Sequence, residues 1–216
     1  MRHIPVVLLS TSESSNFIEQ AYQFGANAYI VKPCTLDGYQ RIAHAVSLCF
    51  LNNYSIGTNS GSLRGAAGKR IVVIEDNPDQ AELMEMFIKK DAPGLNIIHH
   101  TSAEDAILFF ESLDKAASAE IDLIIVDLYL PARKQGLDLL SWLSMSFVNK
   151  GIPFAPVVVL SASKHQHDIE ASFKLQANAY LVKTAEPTKC FSYLSDLCAV
   201  WWDTISFPKT PENGIA

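Results

Sequence analysis

Apolar and polar positions follow two rhythms along this chain. Short, almost unbroken apolar runs recur: "IVVI" at 71–74, "NIIHH" at 96–100, "LIIV" at 123–126, "VVVL" at 157–160 and "YLV" at 180–182. Runs of that length, rich in Val and Ile, predict strands covered on both faces of a parallel sheet. Between them the spacing turns helical. Asn77-Pro78 sets a capping residue and then Pro at the first helical position before "DQAELMEMFIKK". Ser102 with Asp105 opens "AEDAILFFESL" like a capping box with Asp in place of Glu. "GLDLLSWLSMSF" aligns Leu137, Leu140 and Leu143 on one face, and "EPTKCFSYLSDLCAVWW" again begins with Pro near its first turn. Five β/α units in succession predict an α/β fold, a doubly wound parallel sheet.

A repeat runs through the pattern. "IPVVLLSTS" at 4–12 matches "APVVVLSAS" at 155–163, and "FGANAYIVKP" at 24–33 matches "LQANAYLVKT" at 175–184, at one constant offset. About half the positions from Pro5 to Lys32 are identical to their counterparts. Residues 1–51 therefore carry a second copy of the last two units, an incomplete N-terminal β-α-β-α half. Alone, such a fragment leaves its first strand edge unpaired and buries too little to be stable. The stretch "LIIVDLYLP" at 123–131 occurs once only.

Composition narrows the class. The chain has 216 residues, 49% of them apolar, enough for one or two packed domains. A net charge of −6 leaves no basic field for nucleic acid. No apolar run is long enough to cross a bilayer, and the short N-terminal run recurs as an internal strand, so it is not expected to be a signal peptide. Cys34, Cys49, Cys190 and Cys198 show no CxxC spacing, which suits reduced thiols in a cytoplasmic protein. Residues 52–68, rich in Gly, Ser, Asn and Ala, read as a flexible linker, and 203–216 read as a tail.

In a doubly wound sheet, chemistry gathers beyond the carboxyl ends of the strands. Glu75 and Asp76 follow the first of the five strands, Asp127 the third, Ser161 the fourth and Lys183 the fifth. Three converging carboxylates repel one another unless a cation sits among them. With oxygen ligands only, Mg2+ is the natural cation, leaving positions open for a phosphoryl group. A carboxylate there can act as nucleophile towards phosphorus. Taken singly, each residue has an ordinary reading as a turn, cap or solvated end. The combination, in the right units and order, points to chemistry.

These motifs, "VIEDN", "VDLYLP", "LSAS" and "YLVK", resemble those of the receiver domain of bacterial two-component response regulators. The resemblance covers residues 69–202 as a complete receiver domain, and 1–51 as the C-terminal half of another. It implies a flavodoxin-like, five-stranded sheet of order 2-1-3-4-5. It also implies that Asp127 is the phosphoacceptor and that Glu75, Asp76, Asp127 and the backbone carbonyl of Tyr129 hold Mg2+. Lys183 would contact the phosphoryl group, with Ser161 and Tyr180 as the switch pair and the small Ala162 leaving access open. The implied partners are a sensor histidine kinase or phosphotransfer protein and a downstream protein target, with dimerisation through the last two receiver helices. The only chemistry implied is self-catalysed aspartyl phosphorylation and dephosphorylation, and no output domain is expected in 203–216, which read as a tail.

The chain departs from that family at two places. Thr184 stands where receivers carry a cis proline after the lysine, so that bond is either trans or strained. One extra residue lies between Pro131 and Gly136. Tyr129, bulky and two residues past Asp127, is expected to screen an acyl phosphate from water. In the first copy Ser10, Tyr29, Lys32 and Pro33 are in place, but no acidic pair and no phosphoacceptor precede them. The 70–150 half could in principle pair with either second half; the short 148–156 connection favours the C-terminal one. His165 and His167 lack a third ligand nearby and read as a solvated helix start. The rival reading is a receiver-fold scaffold or dimerisation module without phosphotransfer, which Thr184 and the altered loop after Pro131 favour.

Overall fold

The computed structural model describes residues 4–50, 67–149, 155–184 and 186, together with 194, 197–198, 201–202 and 204–206. Most of the expected linker and tail, and Cys190, lie outside the described residues. The elements are β1 (Val7–Ser10), α1 (Ser15–Gln23), β2 (Ala28–Val31), α2 (Leu36–Phe50), β3 (Arg70–Ile74), α3 (Pro78–Asp91) and β4 (Asn96–His100). They continue with α4 (Ala103–Ser112), α5 (Lys115–Ala119), β5 (Leu123–Asp127), α6 (Arg133–Asn149), β6 (Val157–Ser161), α7 (Gln166–Lys174) and β7 (Ala179–Val182).

Five strands form one parallel sheet in the order β4-β3-β5-β6-β7. Numbered from β3, this is the expected order 2-1-3-4-5. Because the sheet is covered on both faces, β5, β6 and β7 are buried at every position, as their unbroken apolar runs predict. The helix starts also follow the sequence. Asn77 accepts hydrogen bonds from the amides of Asp79 and Gln80, and Ser102 from that of Asp105. Two details differ from expectation. Helix α6 begins at Arg133, ahead of Gly136, and the short α5 was not foreseen, its five residues being too few to show periodicity.

β1 and β2 form a separate two-stranded parallel sheet. β5 pairs with β6 and not with β1, so the 70–150 half uses the C-terminal half. The segments that repeat in sequence share a strand register. Val7 pairs with Ala28 in the register by which Val158 pairs with Ala179. The Asn27 side chain accepts from the Val6 amide at 2.9 Å, and the Asn178 side chain from the Val157 amide at 2.8 Å.

These two asparagines also join the copies. Asn27 Nδ2 donates to the Ala177 carbonyl at 2.9 Å, and Asn178 Nδ2 to the Asn27 carbonyl at 2.8 Å. Both residues are buried, and leaving such an amide unpaired would cost about 1–3 kcal/mol. Ala45 and Cys49 of α2 then share a core with Ala179 and Leu181 of β7 and with Leu197 and Trp201. Trp201 Nε1 donates to Cys49 Sγ at 3.1 Å, and Ile205 makes an antiparallel bridge to Ile30. The N-terminal half is thus docked along the β7 side of the main sheet.

Gly136 sits where α6 passes close to the backbone of Leu128. A Cβ there would lie 2.1 Å from the Leu128 carbonyl oxygen, which belongs to the backbone leaving β5. Backbone cannot yield as a flexible side chain can. Gly136→Ala is expected to lower stability by about 1–3 kcal/mol or more, measured by urea unfolding.

Candidate functional site

The carboxyl ends of β3, β5, β6 and β7 bring together the residues that the sequence placed there. Glu75 and Asp76 follow β3, Asp127 ends β5, Ser161 ends β6, and Lys183 follows β7 directly. One carboxylate oxygen each from Glu75, Asp76 and Asp127 lies within 4.8 Å of the others. Glu75 is 1% exposed and Asp127 8%, while Asp76 is more open. The Lys183 ammonium donates to Glu75 Oε2 and Asp127 Oδ2, each at 2.7 Å.

The electrostatics follow from this arrangement. Burial pushes the Glu75 carboxyl above its ordinary value, and the Lys183 charge opposes that rise. Burial pulls Lys183 down, but the Asp127 and Glu75 carboxylates outweigh it and hold the ammonium above its ordinary value. Lys183 remains a fixed positive charge beside Asp127. The donor set is oxygen only, with one carboxylate open to solvent, and it fits a hard divalent cation.

Thr184 does not displace the lysine. Among the described residues the one cis peptide is Leu130-Pro131, so the Lys183-Thr184 bond is trans, and Lys183 still reaches both carboxylates. Ser161 is fully buried, and its Oγ accepts from the Ser163 amide at 3.2 Å. Tyr180 lies inward, fully buried, with its hydroxyl donating to the Ser163 carbonyl at 3.0 Å. The Tyr129 amide donates to Asp127 Oδ1 at 3.1 Å.

Two participants escaped the sequence reading. Gln80, on the first turn of α3, accepts from Lys183 Nζ at 2.7 Å. No local sequence signal marks it, because its partner lies 103 residues away. The other is Asp168, which reads in sequence as an ordinary first-turn acid of α7. Its buried carboxylate accepts from Arg133 Nε, Ser163 Oγ and the Tyr129 hydroxyl. Asp168 thereby ties the loop after Asp127 to the loop after Ser161. The histidines form no metal group among the described residues: His167 Nδ1 meets Arg133 Nη2, and His99 Nε2 meets the Glu75 carbonyl.

Comparison with known proteins agrees with this geometry. The family model described as "Response regulator receiver domain" matches residues 71–195, more than half of the chain. The chain belongs to the response regulator receiver family. Receivers are components of two-component signalling. Response regulator Rcp1 of Synechocystis sp. is 27% identical over 141 residues, covering 65% of this chain and 93% of that protein. The sensory/regulatory protein RpfC of Xanthomonas campestris pv. campestris is 30% identical over 141 residues, which make up 18% of its length. Among solved structures, the Mn2+-bound form of Rcp1 has a TM-score of 0.54 at 27% identity, covering 65% of this chain and 99% of that one. The phosphorylated cyanobacterial phytochrome response regulator RcpA has a TM-score of 0.53 at 28% identity, covering 63% of this chain and 94% of that one. No helix of the described residues is long and apolar enough to cross a membrane.

The Asp168 network has a pH signature. Burial raises this carboxyl, but hydrogen bonds from Ser163, Arg133 and Tyr129 outweigh it and hold it below its ordinary value. A depressed carboxyl contributes stability that is complete above the unfolded value, near 3.9, and is lost as pH falls through the folded value. Asp168→Asn is expected to cost roughly 1–3 kcal/mol at neutral pH. In denaturant melts against pH, its difference from the parent should shrink below about pH 4.

Proposed function

We propose that this receiver accepts a phosphoryl group on Asp127 from the phosphohistidine of a sensor kinase or phosphotransfer protein, with Mg2+ as the metal. The observation that carries this reading is the set of three carboxylates within 4.8 Å of one another, with the Lys183 ammonium bonded to two of them. An Asp127 oxygen attacks phosphorus and forms the acyl phosphate as the P–N bond of the donor breaks. The leaving imidazole takes up a proton from solvent.

Glu75, Asp76, Asp127 and the Tyr129 carbonyl would hold the ion, which would neutralise the transferring phosphoryl oxygens. Lys183 exchanges its bond to Asp127 for one to the phosphoryl group. The Ser161 hydroxyl moves onto a phosphoryl oxygen, and Tyr180, already inward and joined to the same loop through Ser163, stabilises that arrangement. The changed loop is read by a downstream protein target in the cytoplasm. In one chain the β7 side is covered by the N-terminal half, so homodimerisation through the last two helices requires that half to yield or to form part of the interface.

The scaffold reading rests on Thr184 and on the altered loop after Pro131; against the first, the trans bond there leaves Lys183 in contact with Asp127. Incubation with acetyl phosphate and Mg2+ is expected to add one phosphoryl group by intact mass, absent from Asp127→Asn. A folded protein that gains no mass leaves the scaffold. Tyr129 is exposed and bonded through its hydroxyl to Asp168, and in this reading its bulk two residues past Asp127 shields the acyl phosphate from water. Tyr129→Asn is expected to lose the phosphoryl group several-fold faster, followed by mass against time after removal of the donor.

A further inference from the structure

The N-terminal unit repeats the structure of residues 155–184 down to single bonds. Tyr29 Oη donates to the Ser12 carbonyl as Tyr180 Oη does to that of Ser163. The Ser12 amide bonds to Ser10 Oγ as Ser163 does to Ser161. The Lys32 amide bonds to the Ser10 carbonyl at 2.7 Å, as Lys183 does to Ser161. A small core of Ile18, Tyr22, Ala26, Tyr29 and Val31 is the counterpart of Ile169, Phe173, Ala177, Tyr180 and Val182.

Exposure breaks the likeness. Ile4, Val6, Leu8 and Leu9 are 72%, 53%, 38% and 41% exposed; their counterparts Ala155, Val157, Val159 and Leu160 are 2%, 4%, 0% and 1%. In the second copy, β5 pairs in parallel with β6; Ala155, Val157 and Val159 share a core with Leu139, Leu140 and Leu143 of α6, and Leu160 shares one with Met84 of α3 and Ile125 of β5. Among the described residues, β1 pairs only with β2, and its other edge has no strand. The same residues in the same backbone thus lack one defined neighbour.

We propose that the free edge of β1 is a docking site for the first half of a receiver: three β/α units whose third strand adds in parallel to Val7–Ser10, as β5 adds to β6. The occupant is specified by the copy, which shows what covers these side chains when it is present. Its chemistry follows as well. Ser10 and Lys32 occupy the positions of Ser161 and Lys183, so an occupant with an acidic pair and an Asp at the end of its third strand completes a second phosphoacceptor site. That last step rests on the function proposed above; the docking does not.

The test places residues 69–151 of this sequence directly before Met1 of the full chain, which preserves the offset carrying Val6 onto Val157. Hydrogen exchange of the Val7–Ser10 amides is expected to slow at least tenfold relative to the unfused chain. Acetyl phosphate is expected to add two phosphoryl groups in place of one. Protected amides without any adduct would support the docking and remove the phosphoacceptor reading alone. Amides that exchange as fast as in the unfused chain would overturn the proposal. So would an unfused chain that already protects them as a dimer, since a second copy would then be the occupant. A check independent of the fusion is Leu9→Ser beside Leu160→Ser in the unfused chain. The first should leave Tm unchanged and the second lower it; an equal loss would mean that β1 is already covered.

Discussion

The structure depends on one electrostatic constraint: three carboxylates meet at the end of a parallel sheet and must not drive it apart. Glu75 is almost wholly buried, and burial pushes its carboxyl above the ordinary value. The Lys183 ammonium, bonded to both Glu75 and Asp127, opposes that rise and offsets part of the negative charge. Its stem leaves the end of β7, two strands away from β5, so the neutralisation requires the whole sheet to be assembled in order. β3 contributes two groups at its carboxyl end, and β5, β6 and β7 contribute one each.

Around that centre the fold supplies positioning. Gly136 lets α6 approach the backbone of Leu128, just past Asp127. Asp168 gathers Arg133, Ser163 and Tyr129 into one network, so the two loops flanking the site are bonded to each other. Tyr180 reaches the same Ser163 from beneath. A change at Ser161 therefore meets a connected set of polar groups, the kind of arrangement through which a local change in charge can shift a surface.

The N-terminal half is held differently. Its seam with the receiver includes buried asparagine amides and shared apolar side chains on the β7 side, while among the described residues no strand pairs with its other edge. The asymmetry is physical: one side of the unit packs against the receiver, and among the described residues the other carries exposed apolar side chains whose counterparts are buried.

Much of this was legible in the sequence. The unbroken apolar runs announced a parallel sheet, because strands covered on both faces have no polar side to alternate with. Asn77 and Ser102 announced helix starts, because a capping side chain satisfies backbone amides within three residues of itself. Glu75, Asp76, Asp127, Ser161 and Lys183 could be located because each follows a strand that the pattern identifies, and strand ends on one edge converge. Gln80 and Asp168 could not, since their roles depend on which way a helix face turns and on partners as far as 103 residues away. The docking of the repeat along β7 was equally invisible. Local sequence fixes which segments become strands and helices, whereas contacts between distant side chains exist only once the chain has packed.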